Sequence, residues 1–389
     1  MASAKVRFSN PALLAWARES AGYTVSDIAA LLGKPERVVA DWEVGADSPT
    51  YRQLEVIARK VKRPLAAFFL PTVPEEPSPP PDFRTLPGVE EGSYGPKALV
   101  AFRQARGALS EARALLDELG VEIGFSLPPS TLDGDPEEEA KGVRLLLRVT
   151  VETQRGCEDR YQALDMWREA LFDRGVVVMV FSMPMEDARA FCLMDHTLAA
   201  VGLNSADGGR AFSLFHEVGH LCLRRPGVSG EVALYPSRPR REKDRIERYC
   251  DRFAAEFLLP ARDPQVQAAM ESVGGDTSRI DEVARDFKVS RYVVLRRALE
   301  LGHLEKDRYW QIYTEWQESA GREGERKAGG GDYVTTTVSH LGKRFVALVF
   351  DALDANVIST YDASKLLYLD PRHFRTARAR ASAGTGHGR

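Results

Sequence analysis

The stretch FHEVGHLC, residues Phe215–Cys222, decides how the body of this chain is interpreted. It places two histidines four residues apart, with Glu217 directly after the first, inside an uncharged run. On an α-helix, residues i and i+4 share one face, so the imidazoles of His216 and His220 can point at one metal ion. Two histidines and a carboxylate hold catalytic zinc with a position left open for water. The pattern therefore predicts a helical zinc site, with Glu217 as the general base of peptide-bond hydrolysis.

The residues that flank this motif argue against the alternative interpretation, in which HExxH arises by chance on a solvated helix. The flanking residues are apolar: Phe212, Leu214, Phe215, Val218, Leu221 and Leu223. A helix with such flanks is expected to be largely buried, and buried imidazoles need polar partners. We therefore favour the metal site over two unrelated histidines.

The third ligand is expected in the stretch REKDRIERYCDRFAAEFLLP, residues 241–260. An apolar stripe at helical spacing runs along it: Ile246, Cys250, Phe253 and Phe257. Glu247 and Asp251 border this stripe, so we expect Glu247 to be the third ligand and Asp251 to accept a hydrogen bond from a histidine N–H. A plain surface charge is the alternative for Asp251. Cys250 is expected in the core, rather than as a ligand or redox switch.

For other polar residues near the two motifs, the sequence gives less indication of a role. Glu256 falls on the charged side of the second helix and is expected to be an exposed partner of Arg252, four residues earlier. His196 is given no role, because a lone histidine is more often structural. Three residues are candidates to stabilise the oxyanion of the tetrahedral intermediate, and the sequence selects none of them: Arg210, Tyr235 and Tyr249.

The residues before the HExxH helix predict a small sheet. GVVVMVF (175–181), RAFCLM (189–194) and TLAAVGLN (197–204) are short, rich in β-branched or aromatic residues and separated by turn-like stretches. The remaining periodic segments have helical spacing, including 94–120, 137–154 and 240–321. The fold class is therefore mainly α with a small β-sheet, an α+β protein. An extended substrate is expected to dock along an edge strand such as LAAVGLN.

Domain boundaries are predicted from breaks in these patterns. Seven prolines lie in residues 71–88, which favours an extended, semi-rigid linker. We predict an N-terminal domain at 1–71, a linker at 72–88 and a peptidase domain at 89–321. The predicted peptidase domain includes a helical subdomain near 276–302 whose spacing is similar to that of a helix-turn-helix. Lys288 and Arg297 stand there where a glycine and an apolar residue are expected. A C-terminal extension at 322–389 would end in a disordered basic tail from Arg375.

The N-terminal domain has the pattern of a helix-turn-helix. Ala29 lies where two helices would cross, Gly33 in the turn, and Val39 and Trp42 where the second helix would be locked. Five polar residues are candidates for DNA contact: Lys34, Glu36, Arg37, Asp41 and Arg52. Residues 1–71 hold ten Lys or Arg against seven Asp or Glu, which permits a nucleic-acid partner without requiring one. Since two of the candidates are acids, binding of a protein is the serious alternative.

Composition limits the class of protein. The 389 residues are 44% hydrophobic and 28% charged, with a formal net charge of -3. These values are typical of a globular protein with two or three domains. No apolar run approaches the roughly 18 residues of a membrane span, and the N-terminus has no signal-like block, so we expect a cytoplasmic protein without a membrane partner. The four cysteines are irregularly spaced, which suits reduced thiols.

Two regions of the chain resemble known families. LNSADGGRAFSLFHEVGHLCL (203–223) followed by IERYCDRFAAEFLLP (246–260) resembles the ImmA/IrrE metallopeptidases, gluzincin-like zinc endopeptidases that cleave repressor proteins. In that family the two histidines and the glutamate of the second motif bind the metal, which corresponds to His216, His220 and Glu247. Asp251 stands where relatives usually have asparagine. The N-terminal stretch resembles the Xre/Cro-type helix-turn-helix, and its fusion to such a peptidase resembles a recurrent arrangement in bacterial and phage regulators.

The resemblance implies a site-specific zinc endopeptidase with a DNA-binding module. Its substrate would be a regulatory protein, such as a transcriptional repressor, cleaved in a stress response or during mobile-element control. Two histidines and one carboxylate accept Zn²⁺ or Mn²⁺. The alternatives are a non-proteolytic transcriptional regulator with a structural or metal-sensing site, and an antitoxin that binds its partner without cutting it. The sequence leaves the oligomeric state open.

Overall fold

The computed structural model describes residues 5–6, 10–81, 94–229, 242–323 and 332–382. The fold is mainly α with a small β-sheet, as the sequence predicts. Within the described residues, no helix combines the length and the apolar character that a membrane span requires. The four cysteines are free thiols.

The N-terminal unit is a cluster of short helices. They are α1 (Ala12–Glu19), α2 (Val25–Leu32), α3 (Glu36–Glu43), α4 (Tyr51–Lys60) and a 3₁₀ turn at Leu65–Phe69. Thr24 begins α2 with a capping box, in which its hydroxyl accepts from the Asp27 N–H. Gly33 ends α2 at a φ of 60°, a left-handed conformation that favours glycine. The predicted positions Ala29, Val39 and Trp42 are all buried in this unit's core.

The proline linker packs against the rest of the chain in its described part, up to Pro81. Helix α5 (Pro96–Glu118) follows it, and Arg106 of α5 donates hydrogen bonds to the carbonyls of Pro77 and Ser78. The carbonyl of Pro81 accepts a hydrogen bond from the Val228 N–H at 2.9 Å. The described linker residues are thus held along α5. Residues 82–88 of the predicted linker lie outside the described residues.

The stretch 137–154, expected to be helical throughout, forms two helices. These are α6 (Pro136–Leu146) and α7 (Val151–Arg155), and α8 (Arg160–Phe172) follows. The break lies at Arg148, whose φ is 55°. Thr150 then starts a new helix with its own capping box, because a β-conformation residue with a side-chain acceptor satisfies the first free N–H groups.

The predicted strands form one sheet with an added two-residue strand. The strands are β1 (Val176–Phe181), β2 (Ala190–Met194), β3 (Ala199–Asn204) and β4 (Val228–Ser229), in the order β1-β3-β2-β4. β3 pairs in parallel with β1 and antiparallel with β2. The expectation that LAAVGLN is an edge strand is therefore wrong: both sides of β3 are already hydrogen-bonded, so it offers no free backbone groups to a substrate.

Both faces of the sheet are buried. Alternate residues of β1 belong to different cores, with Val176, Val178 and Val180 on one side and Val177 and Met179 on the other. The first side is covered by helices before and after the sheet, among them α8, α9 (Arg210–Cys222), α10 (Glu242–Leu258), α11 (Pro264–Val273), α12 (Thr277–Asp286), α13 (Arg291–Glu300) and α14 (Lys306–Glu323).

The C-terminal extension covers the other face together with α5. It comprises α15 (Tyr333–Leu341), α16 (Lys343–Asp354), α17 (Thr360–Leu367), a 3₁₀ turn at Pro371–His373 and α18 (Phe374–Ser382). The expectation of a disordered tail from Arg375 is wrong up to Ser382. Ala377 and Ala381 are buried on one side of α18, and Arg378 pairs with Asp354, so this basic stretch has an apolar stripe to bury. Residues 383–389 lie outside the described residues.

Candidate metal centre and nucleic-acid surface

The HExxH helix α9 is buried on almost every side. It packs against α10, β2 and β3, and the ring of Phe215 stacks on that of Phe257 with centroids 3.5 Å apart. His216 and His220 lie on one face of α9 and are buried, with their Nε2 atoms 3.2 Å apart. The expectation of a largely buried helix is confirmed.

Helix α10 brings a carboxylate to the two histidines. Glu247 places Oε2 at 3.5 Å from Nε2 of His216 and Oε1 at 3.1 Å from Nε2 of His220. The helices approach closely at Gly219, where a Cβ atom would lie only 3.2 Å from the Cα and Sγ atoms of Cys250. A larger residue at this position would force α10, and with it Glu247, away from the histidines.

The donor atoms have the spacing that a tetrahedral zinc ion needs. Bonds of about 2.0–2.1 Å at tetrahedral angles put ligand atoms roughly 3.3 Å apart. The three separations among the His216, His220 and Glu247 donors are 3.1, 3.2 and 3.5 Å. Two imidazole nitrogens and one carboxylate are also a donor set that suits Zn²⁺. The residues present therefore fit a metal ion.

The charges of the histidines and of the nearby carboxylates affect one another's pKa values. Burial lowers the pKa of His216, but the charge of Glu247 and the hydrogen bond to Asp251 outweigh it and raise that pKa well above its ordinary value. Burial raises the pKa of Glu247, but His216 and His220 outweigh it and bring this pKa down to about 2. Glu247 is therefore an anion at neutral pH, which is the form that binds a metal.

Each histidine is held through its other ring nitrogen. Nδ1 of His216 lies 2.9 Å from Oδ1 of Asp251, and Nδ1 of His220 lies 3.2 Å from the carbonyl oxygen of Arg225. Such contacts fix the tautomer and leave Nε2 facing the other donors. Asp251 is buried, so the alternative of a plain surface charge is wrong.

Arg296 of α13 extends this network, and the sequence patterns did not single it out. Its Nη2 lies 3.2 Å from Oδ2 of Asp251, and its Nε donates to Glu300 at 2.9 Å. The chain Arg296–Asp251–His216 thus links α13 to the candidate metal ligand. The sequence shows only that Arg296 precedes Arg297 in the degenerate helix-turn-helix. That position does not predict that its side chain points toward Asp251.

Glu217 lies inside the protein, next to sulfur-containing neighbours. It is fully buried, and burial followed by the charge of Glu217 raises the pKa of the Cys192 thiol well above its ordinary value. Cys192 belongs to β2, and sequence reasoning gave it no role. The carboxylate that we expected to act as a base therefore lies where the sheet and α9 meet.

Cys250 is a second candidate for the third ligand. Its Sγ and a ring nitrogen from each of His216 and His220 all lie within 4.8 Å of one another. Burial, and next the charges of Glu247 and Glu217, raise the pKa of this thiol well above its ordinary value. Since a thiol binds metals as its thiolate, the anionic Glu247 is the better donor. Cys250 also belongs to the buried core, as expected.

The expectation for Glu256 is wrong. This residue is buried rather than exposed, and its partner is Arg297 of α13, whereas Arg252 pairs with Glu137 at 2.9 Å. Glu256 also accepts from the Ala261 N–H. Helical phase correctly put Glu256 opposite the metal-facing stripe, but α13 packs on that side and buries it. A buried acid needs a charged partner, and Arg297 supplies it.

The candidates for the oxyanion role are not brought together. The Tyr249 hydroxyl donates to Glu139, and burial raises the pKa of Tyr249 above its ordinary value. Arg210 lies over the ring of Tyr161 at 5.6 Å. Tyr235 lies outside the described residues, and His196 is exposed.

The N-terminal unit presents the predicted polar residues around α3. Lys34, Glu36, Arg37 and Arg52 are exposed, and Asp41 is half-buried. The first turn of α3 therefore projects from the unit, as the second helix of a helix-turn-helix must to enter a groove. The inner side of α3 is anchored by Glu43, which accepts hydrogen bonds from Arg18 at 2.7 and 2.8 Å.

Comparisons with protein families agree with the two predicted motifs. Residues 173–299 match the model described as the IrrE N-terminal-like domain, a peptidase family, and residues 14–68 match the model described as helix-turn-helix. The chain thus joins an Xre-like helix-turn-helix to an IrrE/ImmA-like peptidase domain, which confirms the predicted fusion. Comparisons with curated proteins and with solved structures find no significant match.

Proposed function

We propose that this protein is a zinc-dependent endopeptidase that cleaves a regulatory protein and binds DNA through its N-terminal unit. One observation carries the proposal: the Nε2 atoms of His216 and His220 and the carboxylate of Glu247 lie 3.1–3.5 Å apart on adjacent helices. The match of this region to a peptidase family supports peptide-bond hydrolysis as its chemistry.

His216, His220 and Glu247 would hold the ion, with Zn²⁺ favoured and Mn²⁺ possible for the same donor set. A bound Zn²⁺ would supply Lewis-acid polarisation of the scissile carbonyl. Asp251 and the Arg225 carbonyl keep the two imidazoles oriented through their Nδ1 atoms.

Glu217 would move the proton. Its carboxylate takes a proton from the attacking water as the new C–O bond forms, and later gives it to the leaving amine nitrogen as the C–N bond breaks. Burial suits this role, because a carboxylate away from bulk water is a stronger base. No residue is assigned to the oxyanion.

The resemblance to the ImmA/IrrE peptidases implies the substrate class, and the fusion of the two domains supports it. A helix-turn-helix at 14–68 next to a peptidase domain favours action on a protein that is itself bound to DNA or regulates transcription, such as a repressor. Cleavage would then relieve repression in a stress response or during mobile-element induction. Lys34, Arg37 and Arg52 are the proposed contacts to phosphate or base edges, while Glu36 and Asp41 would restrict the sequences accepted.

Two measurements test this function. Elemental analysis should find about one zinc per chain in the wild type and a large loss in Glu247→Ala, while Cys250→Ser keeps its zinc. Sequencing of protein N-termini in expressing cells should reveal new termini with the wild type that are missing with Glu217→Gln. A wild type without bound metal after reconstitution, or identical termini in both strains, would overturn the proposal.

A structural or metal-sensing site is the second candidate, favoured by the position of Cys250 beside both histidines. A site closed by two histidines, Glu247 and a thiolate would have no open position for water. Cobalt substitution separates the two functions. A sulfur-to-cobalt charge-transfer band that disappears in Cys250→Ser would indicate the closed site, whereas a spectrum unchanged by that substitution indicates the open one.

A further inference from the structure

A large cavity lies next to the candidate metal centre. It has a volume of about 1210 Å³ and opens between the N-terminal ends of α8 and α9 and helices α12, α13 and α14. Phe212 and Ser213 of α9 line it, and the ring of Phe212 lies 6.3 Å from that of His216. The cavity therefore ends about one helical turn from the candidate metal ligands.

The cavity wall is rich in cations that have no acidic partner. These are Arg160, Arg285, Lys288 and Arg291, and within the described parts of the chain none has a carboxylate within ion-pair distance. Arg160 and Arg291 instead lie over the rings of Tyr161 and Trp316, at 5.0 and 4.3 Å. Contacts with rings and carbonyls leave most of each positive charge available to a ligand.

The acids of the wall are already engaged or lie at its exposed rim. Asp159 accepts from the N–H groups of Tyr161 and Gln162, both at 2.8 Å. Asp207 accepts from the Gly209 N–H at 2.8 Å and from the Ser213 hydroxyl at 2.6 Å. Glu158 and Asp281 are exposed. Arg160 and Arg285 are exposed as well, so Lys288 and Arg291 are the half-buried cations among these four, in a wall that also includes the rings of Phe212 and Tyr292.

Lys288 lines the cavity wall in a left-handed backbone conformation. Its φ is 58°, whereas the corresponding turn of the N-terminal unit has Gly33 at 60°. A left-handed backbone conformation is unfavourable for a residue with a Cβ. Lys288 lines both the large cavity and a small pocket that it shares with Arg160 and Ser290. A charged side chain thus stands where glycine would cost less.

We propose that this cavity binds an acidic segment of the protein substrate, with carboxylates at Lys288 and Arg291 and aromatic side chains beside Tyr161 and Phe212. This inference rests on the proposed peptidase function, since it makes the cavity a specificity site for residues near the scissile bond. The volume favours a polypeptide segment, because small-molecule sites usually occupy about 300–1,000 Å³.

The test measures binding without hydrolysis. The probe is a fluorescein-labelled random copolymer of glutamate and tyrosine, and its binding to zinc-loaded, full-length Glu217→Gln protein is followed by fluorescence anisotropy. Adding Lys288→Gly should weaken binding about tenfold or more, the effect of losing one charge-assisted hydrogen bond. Glycine suits the backbone at φ 58°, so a loss of affinity cannot be attributed to unfolding.

The matched control is Lys62→Gly. Lys62 is an exposed lysine with a φ of 53° in the N-terminal unit, away from the cavity. It should leave the affinity for the copolymer unchanged. Equal affinity of the Lys288→Gly protein and its parent would overturn the cavity assignment. So would a loss of affinity in Lys62→Gly alone, because the copolymer would then be binding the N-terminal unit.

Competition identifies the kind of anion. Duplex DNA and inorganic phosphate should displace the copolymer poorly. One outcome would overturn the proposal in favour of a phosphate site. DNA or phosphate would displace the copolymer at a concentration comparable to that of the copolymer, and the affinity of that competitor would also fall in the Lys288→Gly protein. Failure of the proposed peptidase function would give a different result. The wild type would then cleave no protein, while binding of the copolymer would still depend on Lys288.

Discussion

The helix pair α2–α3 and the helix pair α12–α13 have the same residue spacing but pack against different surroundings. In the first pair Ala29 and Val39 are buried, and in the second Ala284 and Val294 are buried at the corresponding positions. These small apolar residues let two helices cross at short range in both places. The shared spacing therefore accounts for the shared local geometry.

The pairs differ where each meets its neighbours. Trp42 is buried among apolar residues of the N-terminal core, whereas its counterpart Arg297 is buried against Glu256 of α10. Half-buried Asp41 corresponds to Arg296, which contacts Asp251. The first pair thus completes a small apolar core, and the second is joined by ion pairs to the helix that carries Glu247. The same helix spacing thus belongs to a self-contained apolar core in one place and to an ion-paired support of the candidate metal centre in the other.

The largest effect is expected at Arg297. Replacing it by alanine leaves Glu256 as a buried charge without its partner, which should lower the free energy of unfolding by about 3–5 kcal/mol in urea titrations. Replacing both residues by leucine should restore most of this loss, because no buried charge then remains. A loss of less than about 1 kcal/mol in Arg297→Ala would show that this ion pair does not hold the two helices together.

The next effect concerns metal binding through Arg296. Arg296→Ala should leave Asp251 less well held and weaken zinc affinity by roughly 10- to 100-fold, measured by competition with a chelator. Asp41→Ala, at the corresponding position of the first pair, should not change that affinity. Arg296→Lys should restore part of the loss. Unchanged affinity in Arg296→Ala would show that α13 only packs against the metal centre.

A smaller effect is expected at the two turns. Gly33→Ala should lower the free energy of unfolding by about 1–2 kcal/mol, because alanine is strained at a φ of 60°. Lys288→Gly at the equivalent turn should cause no loss. Thermal unfolding measures both variants. Equal destabilisation by the two substitutions would show that the turns are not equivalent.

The smallest effect is expected at Arg252. Its ion pair with Glu137 is exposed on both sides, so Arg252→Ala should change the free energy of unfolding by only about 0–1 kcal/mol. This variant is the exposed counterpart of Arg297→Ala, measured in the same urea titrations. A loss as large as that of Arg297→Ala would mean that burial does not separate the two ion pairs.

Helical periodicity was sufficient to predict much of the candidate centre. A spacing of four residues puts His216 and His220 on one face whatever surrounds them, and the apolar stripe of α10 turns Glu247 and Asp251 toward the same side. The strands of the sheet were also predicted from a local pattern, because short runs rich in β-branched residues favour the extended conformation. The roles of these residues in catalysis remain predictions.

The errors arose where a second element determines the environment. The periodicity of α10 indicates which side Glu256 faces but not that α13 packs there. The β-pattern of residues 199–204 predicts a strand but not that it pairs on both sides, because strand order depends on long-range contacts. The basic composition after Arg375 masked an alanine stripe that becomes useful only when α15 and α16 are present to cover it.

Three features can be predicted from the sequence alone, because each depends only on the geometry of a single helix or turn: the helix-turn-helix spacing, the face shared by the two histidines and the apolar stripe beside Glu247. Three others become visible only in the folded protein: Asp251 is held by Arg296, Glu256 is buried with Arg297, and the cavity lined by Lys288 and Arg291 ends near His216. These features depend on which helices meet, and contacts between distant segments of the chain decide that, rather than any local pattern.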